Sequence, residues 1–174
     1  MHDDLLTPEE HIARALAGLG FGDDPEMART PELFAAMLAE WRPMGAQPAE
    51  RLPTASHDVV VIRDLPFYSL CAHHLLPFFG TCTIALRPAG LLVGFGWFAR
   101  MLSALAQQPQ IQERLAAEIA DAIEEAVQPS SLAVRLEARH MCVEMRGARS
   151  AGEFRVMVTR GNDDEAVLAV LSGA

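Results

Sequence analysis

The hydrophobic period of this chain switches between helical and extended along its length, and the order of those switches limits the folds open to it. Two helical segments come first. Thr7-Pro8-Glu9-Glu10 sets a Thr cap, a Pro at the first helical position and a Glu three residues after the cap, the reciprocal capping arrangement, and Gly18 and Gly20 supply the stop. Thr30-Pro31 repeats that start ahead of Leu33, Phe34, Met37 and Leu38, a helical stripe expected to run to about Trp41. The Pro and Gly residues that follow mark a connecting segment.

From His57 the texture becomes extended. Residues 59–62, 79–86 and 91–95 are short β-branched or aromatic runs separated by Pro or Gly. Helical periodicity then returns in two pieces split by Pro109. The second piece spaces Ile111, Leu115, Ile119, Ile123 and Ala126 three or four apart, a buried stripe on a helix of about four to five turns. Pro129 and two serines end it. Residues 132–144 alternate again, which predicts a strand, and residues 153–159 read as a last strand before a short apolar tail. Helices, strands, two helices and strands follow one another without βαβα alternation, so the expected class is α+β with an antiparallel sheet.

Composition narrows the function classes. The 174 residues are about one domain's worth, and a hydrophobic fraction of 51% is ample for a core. A net charge of −9 offers no basic footprint for a nucleic-acid backbone and no attraction to an anionic membrane. The acidic opening MHDDLLTPEE does not resemble a signal peptide, and no apolar run reaches the roughly 18 residues of a membrane span, so a cytoplasmic protein is expected. Cys71, Cys82 and Cys142 are an odd number at irregular spacing, which argues for thiols or metal ligands rather than a disulfide framework.

Two clusters carry chemistry. In Ser69-Leu70-Cys71-Ala72-His73-His74-Leu75-Leu76-Pro77, the two-residue gap between Cys71 and His74 lets a thiolate and an imidazole close on one small cation. The bland alternative is a pair of unconnected half-buried residues near a strand end. In His140-Met141-Cys142, a strand would point His140 and Cys142 to one face and Met141 to the other. Together the clusters offer two Cys and three His to one site. Four protein ligands make a structural zinc; three leave a position for a water whose pKa falls to about 7. Spacing alone leaves both open.

With these motifs the chain resembles the GTP cyclohydrolase I family, whose zinc motif reads Cys-Glu-His-His-Leu-Leu-Pro-Phe. The resemblance rests on FYSLCAHHLLPFFG, QIQERLAAEIADAI and EARHMCVEMRGAR in that order, and more loosely on ARTPELFAAML. It implies the tunnelling fold, an antiparallel sheet with two antiparallel helices on one face, preceded here by N-terminal helices. Residues 1–50 are then an N-terminal helical segment and 51–174 the zinc-binding catalytic domain, one structural domain overall. It also implies a toroidal homo-oligomer with active sites between subunits. Matched residue by residue, Cys71, His74 and Cys142 correspond to the zinc ligands, and His73 and His140 to the acid/base histidines that assist attack of zinc-activated water on C8 of a purine. Glu113 corresponds to the carboxylate that recognises guanine, and Arg100 and Arg146 to arginines that hold a triphosphate. The helix period gives Glu113 independent support, since it lies two positions, about 200°, from Ile111 of the buried stripe. Without the resemblance, Glu113 reads as a solvated acid, and the two arginines as partners in surface ion pairs.

The match departs from the family in three places. Where the family has Gly-Leu-Ser-Lys, this chain has Gly94-Phe95-Gly96-Trp97, so Gly96 and Trp97 stand in for a Ser and a Lys that contact phosphate. Trp97 reads either as a stacking surface or as a buried interface aromatic. Ala72 replaces the usual Glu, and the Thr/Ser-rich stretch after Arg-Gly is replaced by Ala151-Gly152-Glu153-Phe154-Arg155-Val156. The expected function is zinc-dependent opening of the imidazole ring of a guanine-like purine, with release of formate as a further step. The rivals are a divergent paralogue using an unphosphorylated or monophosphorylated purine, and a non-catalytic zinc-binding assembly subunit.

Overall fold

The capping box at Thr7 forms as the sequence predicts: Thr7 Oγ1 accepts from the Glu10 amide at 3.3 Å, and the Thr7 amide donates to Glu10 Oε2 at 2.7 Å, opening helix α1 (Pro8–Gly18). Helix α2 (Thr30–Glu40) begins differently. Thr30 is its first helical residue rather than its cap, and Arg29 holds the cap position with no side-chain cap bond, its guanidinium paired instead with Glu32 at 3.0 Å. The computed structural model describes residues 6–45 and 47–172. It divides into two compact units, Met1–Arg42 and Pro43–Ala174.

The second unit is built on a five-stranded sheet ordered β5-β2-β3-β6-β7, from β2 (Val60–Cys71), β3 (Pro77–Arg87), β5 (Pro109–Gln110), β6 (Ser131–His140) and β7 (Phe154–Gly161). The pairings are antiparallel except β2 with β5, which is parallel. A small separate ribbon pairs β1 (Arg51–Pro53) with β4 (Leu91–Val93). Strand β2 is much longer than the predicted run at 59–62. It continues through a bulge between Ile62 and Leu65, where Asp64 takes φ +56°, and so carries Cys71 to the strand's end. Phe95, expected at the end of a strand, instead opens helix α3 (Phe95–Ala106).

Helix α3 and helix α4 (Gln112–Val127) cover one face of the sheet, where Phe78, Cys82, Ile84 and Leu86 of β3 and Leu132, Val134, Leu136 and Ala138 of β6 form the core. The predicted stripe on α4 is buried at Leu115, Ile119, Ile123 and Ala126, while Ile111 becomes the cap position. The apolar tail is a helix, α6 (Glu165–Ser172), on the opposite face, where Val167 meets Ala85 and Ala133. Asp164 caps it by accepting from the amides of Ala166 (3.0 Å) and Val167 (3.3 Å) while it pairs with Arg87. Strands β3 and β6 approach closely at Gly80, where a Cβ would lie 1.8 Å from the Glu137 carbonyl oxygen. Only glycine fits there, and the register this permits sets Phe78 opposite His140.

Candidate metal centre and adjoining cleft

The turn after β2 folds back on Cys71. Its amide donates to Leu76 O (2.8 Å), while its carbonyl accepts from the amides of His74 (3.2 Å) and Leu75 (2.8 Å). Leu75 takes φ +53°, a strained value for a branched side chain, to close this loop. Both His73 Nδ1 and His74 Nδ1 then lie 3.8 Å from Cys71 Sγ. The strand end is fixed from the other side by Gln110, fully buried, whose carbonyl accepts from the Ala72 amide (2.9 Å) and whose side chain bonds Glu118 (2.7 Å) and Arg114 (2.6 Å).

Cys142 arrives by a route the alternation did not predict. Strand β6 stops at His140, and helix α5 (Met141–Glu144) follows, closed by Met145 N to Met141 O (2.9 Å) and by Arg139 paired with Glu144 at 2.5 Å. His140 and Cys142 are therefore not neighbours on one strand face. The chain turns into a helix straight after leaving the sheet, and Cys142 reaches Cys71 and His74 from that helix. The ligand atoms of Cys71, His74 and Cys142 all lie within 4.8 Å of one another.

Burial pushes the Cys142 thiol up, and the hydrogen bond and charge of Cys71 push it further, against the opposing pull of Arg146. Two thiols and an imidazole brought this close are a donor set that suits a soft divalent cation, so the residues fit a metal. Cys82 has no such company: it is fully buried beneath the helices, and its thiol is pushed up to about 12 by burial.

A cleft of about 280 Å³ opens beside this group, lined by Gln112, Glu113, His140, Val143, Phe154 and Arg155, with Val156 behind. His140 is held between aromatic rings, stacked on Phe78 (4.8 Å between centroids, 7° between planes) and met edge-on by Phe154 (5.2 Å, 82°). Its Nε2 lies 2.7 Å from Gln112 Oε1. Burial lowers the His140 pKa, and the Glu113 charge acts the other way. Glu113 and His140 thus share one cleft, with Glu113 exposed at the start of α4 as its helical position predicts.

The arginines lie apart. Arg100 faces a second cleft with Pro48, Glu50, Gly94, Gly96 and Trp97. Arg146 is exposed just past α5, close enough to Cys142 to act on its thiol. Neither takes part in an ion pair among the described residues, contrary to the ordinary surface reading of such groups. Trp97 is a core residue: it is 4% exposed, and its indole N–H donates to Gln47 O at 3.1 Å. It offers no stacking surface. The residues that sequence reasoning missed are Gln112, Phe154 and Arg155. Only the β6–β7 register and the start of α4 bring them to His140.

The model of the family described as GTP cyclohydrolase I matches residues 9–166. The chain belongs to that family. It is 35% identical to GTP cyclohydrolase 1 of Streptococcus mutans over 173 residues, covering 92% of this chain and 90% of that protein. It is 43% identical to GTP cyclohydrolase 1 of Dehalococcoides mccartyi over 144 residues, covering 77% and 76%. Among solved structures, an apo archaeosine synthase QueF-like protein superposes with a TM-score of 0.51 at 17% identity, covering 63% of this chain and 99% of that one. That likeness concerns the fold alone, the tunnelling fold that the motifs implied. As a member of this family the chain is a hydrolase of the GTP cyclohydrolase type, and a mixed α+β protein as its pattern of periods predicts.

Proposed function

We propose that this chain is a zinc enzyme that opens the five-membered ring of a guanine nucleotide at C8 by hydrolysis and releases formate. The observation that carries this is the convergence of Cys71, His74 and Cys142 beside a cleft that holds both His140 and Glu113. Zinc held by the three ligands would supply Lewis-acid activation of water at neutral pH. The remaining chemistry belongs to the chain. Glu113 accepts hydrogen bonds from the N–H groups of the guanine pyrimidine edge, a charge-assisted contact that orients the five-membered ring toward the metal group. His140 and His73 hold and move protons at N7 and at the attacking water. Arg100 and Arg146 supply guanidinium donors for phosphate oxygens.

The site is completed by neighbours in this reading. Strand β7 is an outer strand of the sheet with Phe154 and Met157 exposed on it, and β2 pairs with β5 only at Leu70 and Cys71. Two open edges on one sheet favour a closed ring of copies, which removes both. Arg100, which does not line the Glu113 cleft of its own protomer, would then reach the cleft of a neighbour. Among the described residues no helix is long and apolar enough to cross a membrane.

A second reading concerns the substrate. Gly96 has no side chain, and Trp97 is turned into the core, so the two positions matched to a phosphate-binding Ser and Lys give no donor side chain to a triphosphate. This favours a purine carrying one phosphate or none. Incubating the zinc-loaded protein with GTP, guanosine, guanine and 8-oxoguanine, with products read by mass spectrometry, separates the readings. Ring-opened product from GTP is the expected result. A higher kcat/KM for guanosine than for GTP establishes the second reading, and no product from any compound establishes a non-catalytic zinc-binding subunit.

A further inference from the structure

His140 is held on three sides, and the hydrogen-bonding group that holds it belongs to none of the residues matched to the family's ligands, histidines or substrate contacts. Gln112 is the first residue of α4, 3% exposed, with its amide directed away from solvent. Its Nε2 lies 3.1 Å from Leu136 O on β6 and 3.0 Å from Phe154 O on β7. Its Oε1 lies 2.7 Å from His140 Nε2. The amide can take only one orientation. Turning it over would set Oε1 against two carbonyl oxygens at about 3 Å, a repulsive contact in place of two hydrogen bonds.

With both Nε2 hydrogens committed to the two carbonyls, Gln112 has only an acceptor left to offer His140. A neutral imidazole carries one N–H and one bare nitrogen, and an imidazolium carries two N–H groups. In either state Nε2 must keep its hydrogen to satisfy Oε1. Flipping the ring gives no escape, because it would set the Cε1 carbon where Nε2 now meets Oε1, and Phe78 and Phe154 hold the ring plane in place. We propose that Gln112 is a positioning residue that locks a proton on His140 Nε2, so that His140 exchanges protons with substrate or water through Nδ1 alone. The Gln112 lock deepens the acid/base reading of His140 given above and rests on it.

The lock also explains an otherwise unassigned feature of β7. Phe154 contributes twice, through its carbonyl to Gln112 and through its ring to His140, so the strand that replaces a Thr/Ser-rich segment braces the histidine instead. The three elements α4, β6 and β7 meet at this one amide, and the histidine inherits its orientation from all of them.

The test uses zinc-loaded, 15N-histidine-labelled protein studied by magic-angle-spinning NMR, with the His140 signals assigned by their loss in His140→Gln. The expected spectrum of the neutral ring shows a pyrrole-type Nε2 and a pyridine-type Nδ1. A pyridine-type Nε2 overturns the proposal, and this measurement needs neither a variant of Gln112 nor a substrate. Gln112→Met, similar in volume with no hydrogen bonds, is expected to show both tautomers. Its kcat with GTP should fall by about tenfold to a hundredfold, less than the roughly 10²–10⁴ lost with the acid/base itself, with zinc retained and KM little changed. An unaltered tautomer in that protein overturns the lock. Wild-type kcat in His140→Gln overturns the acid/base reading of the histidine and leaves the tautomer result standing, so the two failures are distinguishable.

Discussion

The two sides of the site are built differently. On the side proposed for ring opening three groups are braced: Cys71 by the loop it closes and by Gln110, His140 by Gln112 and two aromatic rings, Cys142 by the turn into α5, while His73, His74 and Glu113 are exposed. On the side proposed for phosphate, Arg100 and Arg146 stand exposed without ion-pair partners among the described residues, and Gly96 makes room rather than contacts, since a Cβ there would lie 3.1 Å from Arg100 Nη1. In the proposed reading, chemistry that needs sub-ångström placement is written into the sheet and helix register, and binding that needs only charge is left to exposed side chains that a ligand can gather.

The sharpest way to break this contrast is at the metal group. Cys71→Ala, His74→Ala and Cys142→Ala should each lose stoichiometric zinc and with it all measurable turnover, as read by metal analysis and product assay on the same sample. Full zinc content in Cys142→Ala removes that residue from the ligand set. His73→Ala and His140→Ala come next: zinc and assembly are kept, and turnover falls by about 10²–10⁴-fold, the range for loss of a positioned acid or base. A metal-free His140→Ala protein would show that the division between ligands and proton carriers is wrong.

Glu113→Ala lies between the two sides. It should retain zinc and weaken purine binding by about 1.5–3 kcal/mol, the value of hydrogen bonds to a charged group, measured as KM or by calorimetry with GTP. Unchanged affinity would leave Glu113 a surface acid. The smallest effect is expected at Arg100→Ala, about 1 kcal/mol for an exposed charge. It should fall on GTP and not on guanosine, and an equal loss for both compounds would dissolve the distinction between ring and phosphate sides.

The sequence disclosed local features better than convergent ones. The Cys71–His74 gap and the capping box at Thr7 depend on a few consecutive residues; the capping box stands in the structure as read, and Cys71 and His74 lie close together. The full length of β2 was hidden because Asp64 and Pro66 interrupt its alternation; β5 joins β2 only at Leu70 and Cys71, and the stretch before them, paired with β3 alone, tolerates a bulge and a Pro that a fully flanked strand would not. Helix α6 was legible in principle, since Asp164 ahead of Ala166 and Val167 is a cap signal. The route of Cys142 was misread because alternation continues past His140 in the sequence, and only the loss of a sheet partner after Phe78 ends the strand. Gln112 lay inside a matched motif, QIQERLAAEIADAI, but nothing in the motif gave it a role. A glutamine beside Glu113 at a helix start is ordinary until β6 and β7 bring two carbonyls to it.

The central claim is that ring opening depends on one metal held by Cys71, His74 and Cys142. Titrating metal-free protein with zinc in the presence of GTP, while following ring-opened product and formate, tests it most directly. The account predicts that product formation rises in proportion to added zinc and stops rising at about one ion per chain, as for one Cys-His-Cys group, and that Cys142→Ala stays inactive throughout. Equal turnover in the metal-free protein, or none at saturating zinc, would contradict it.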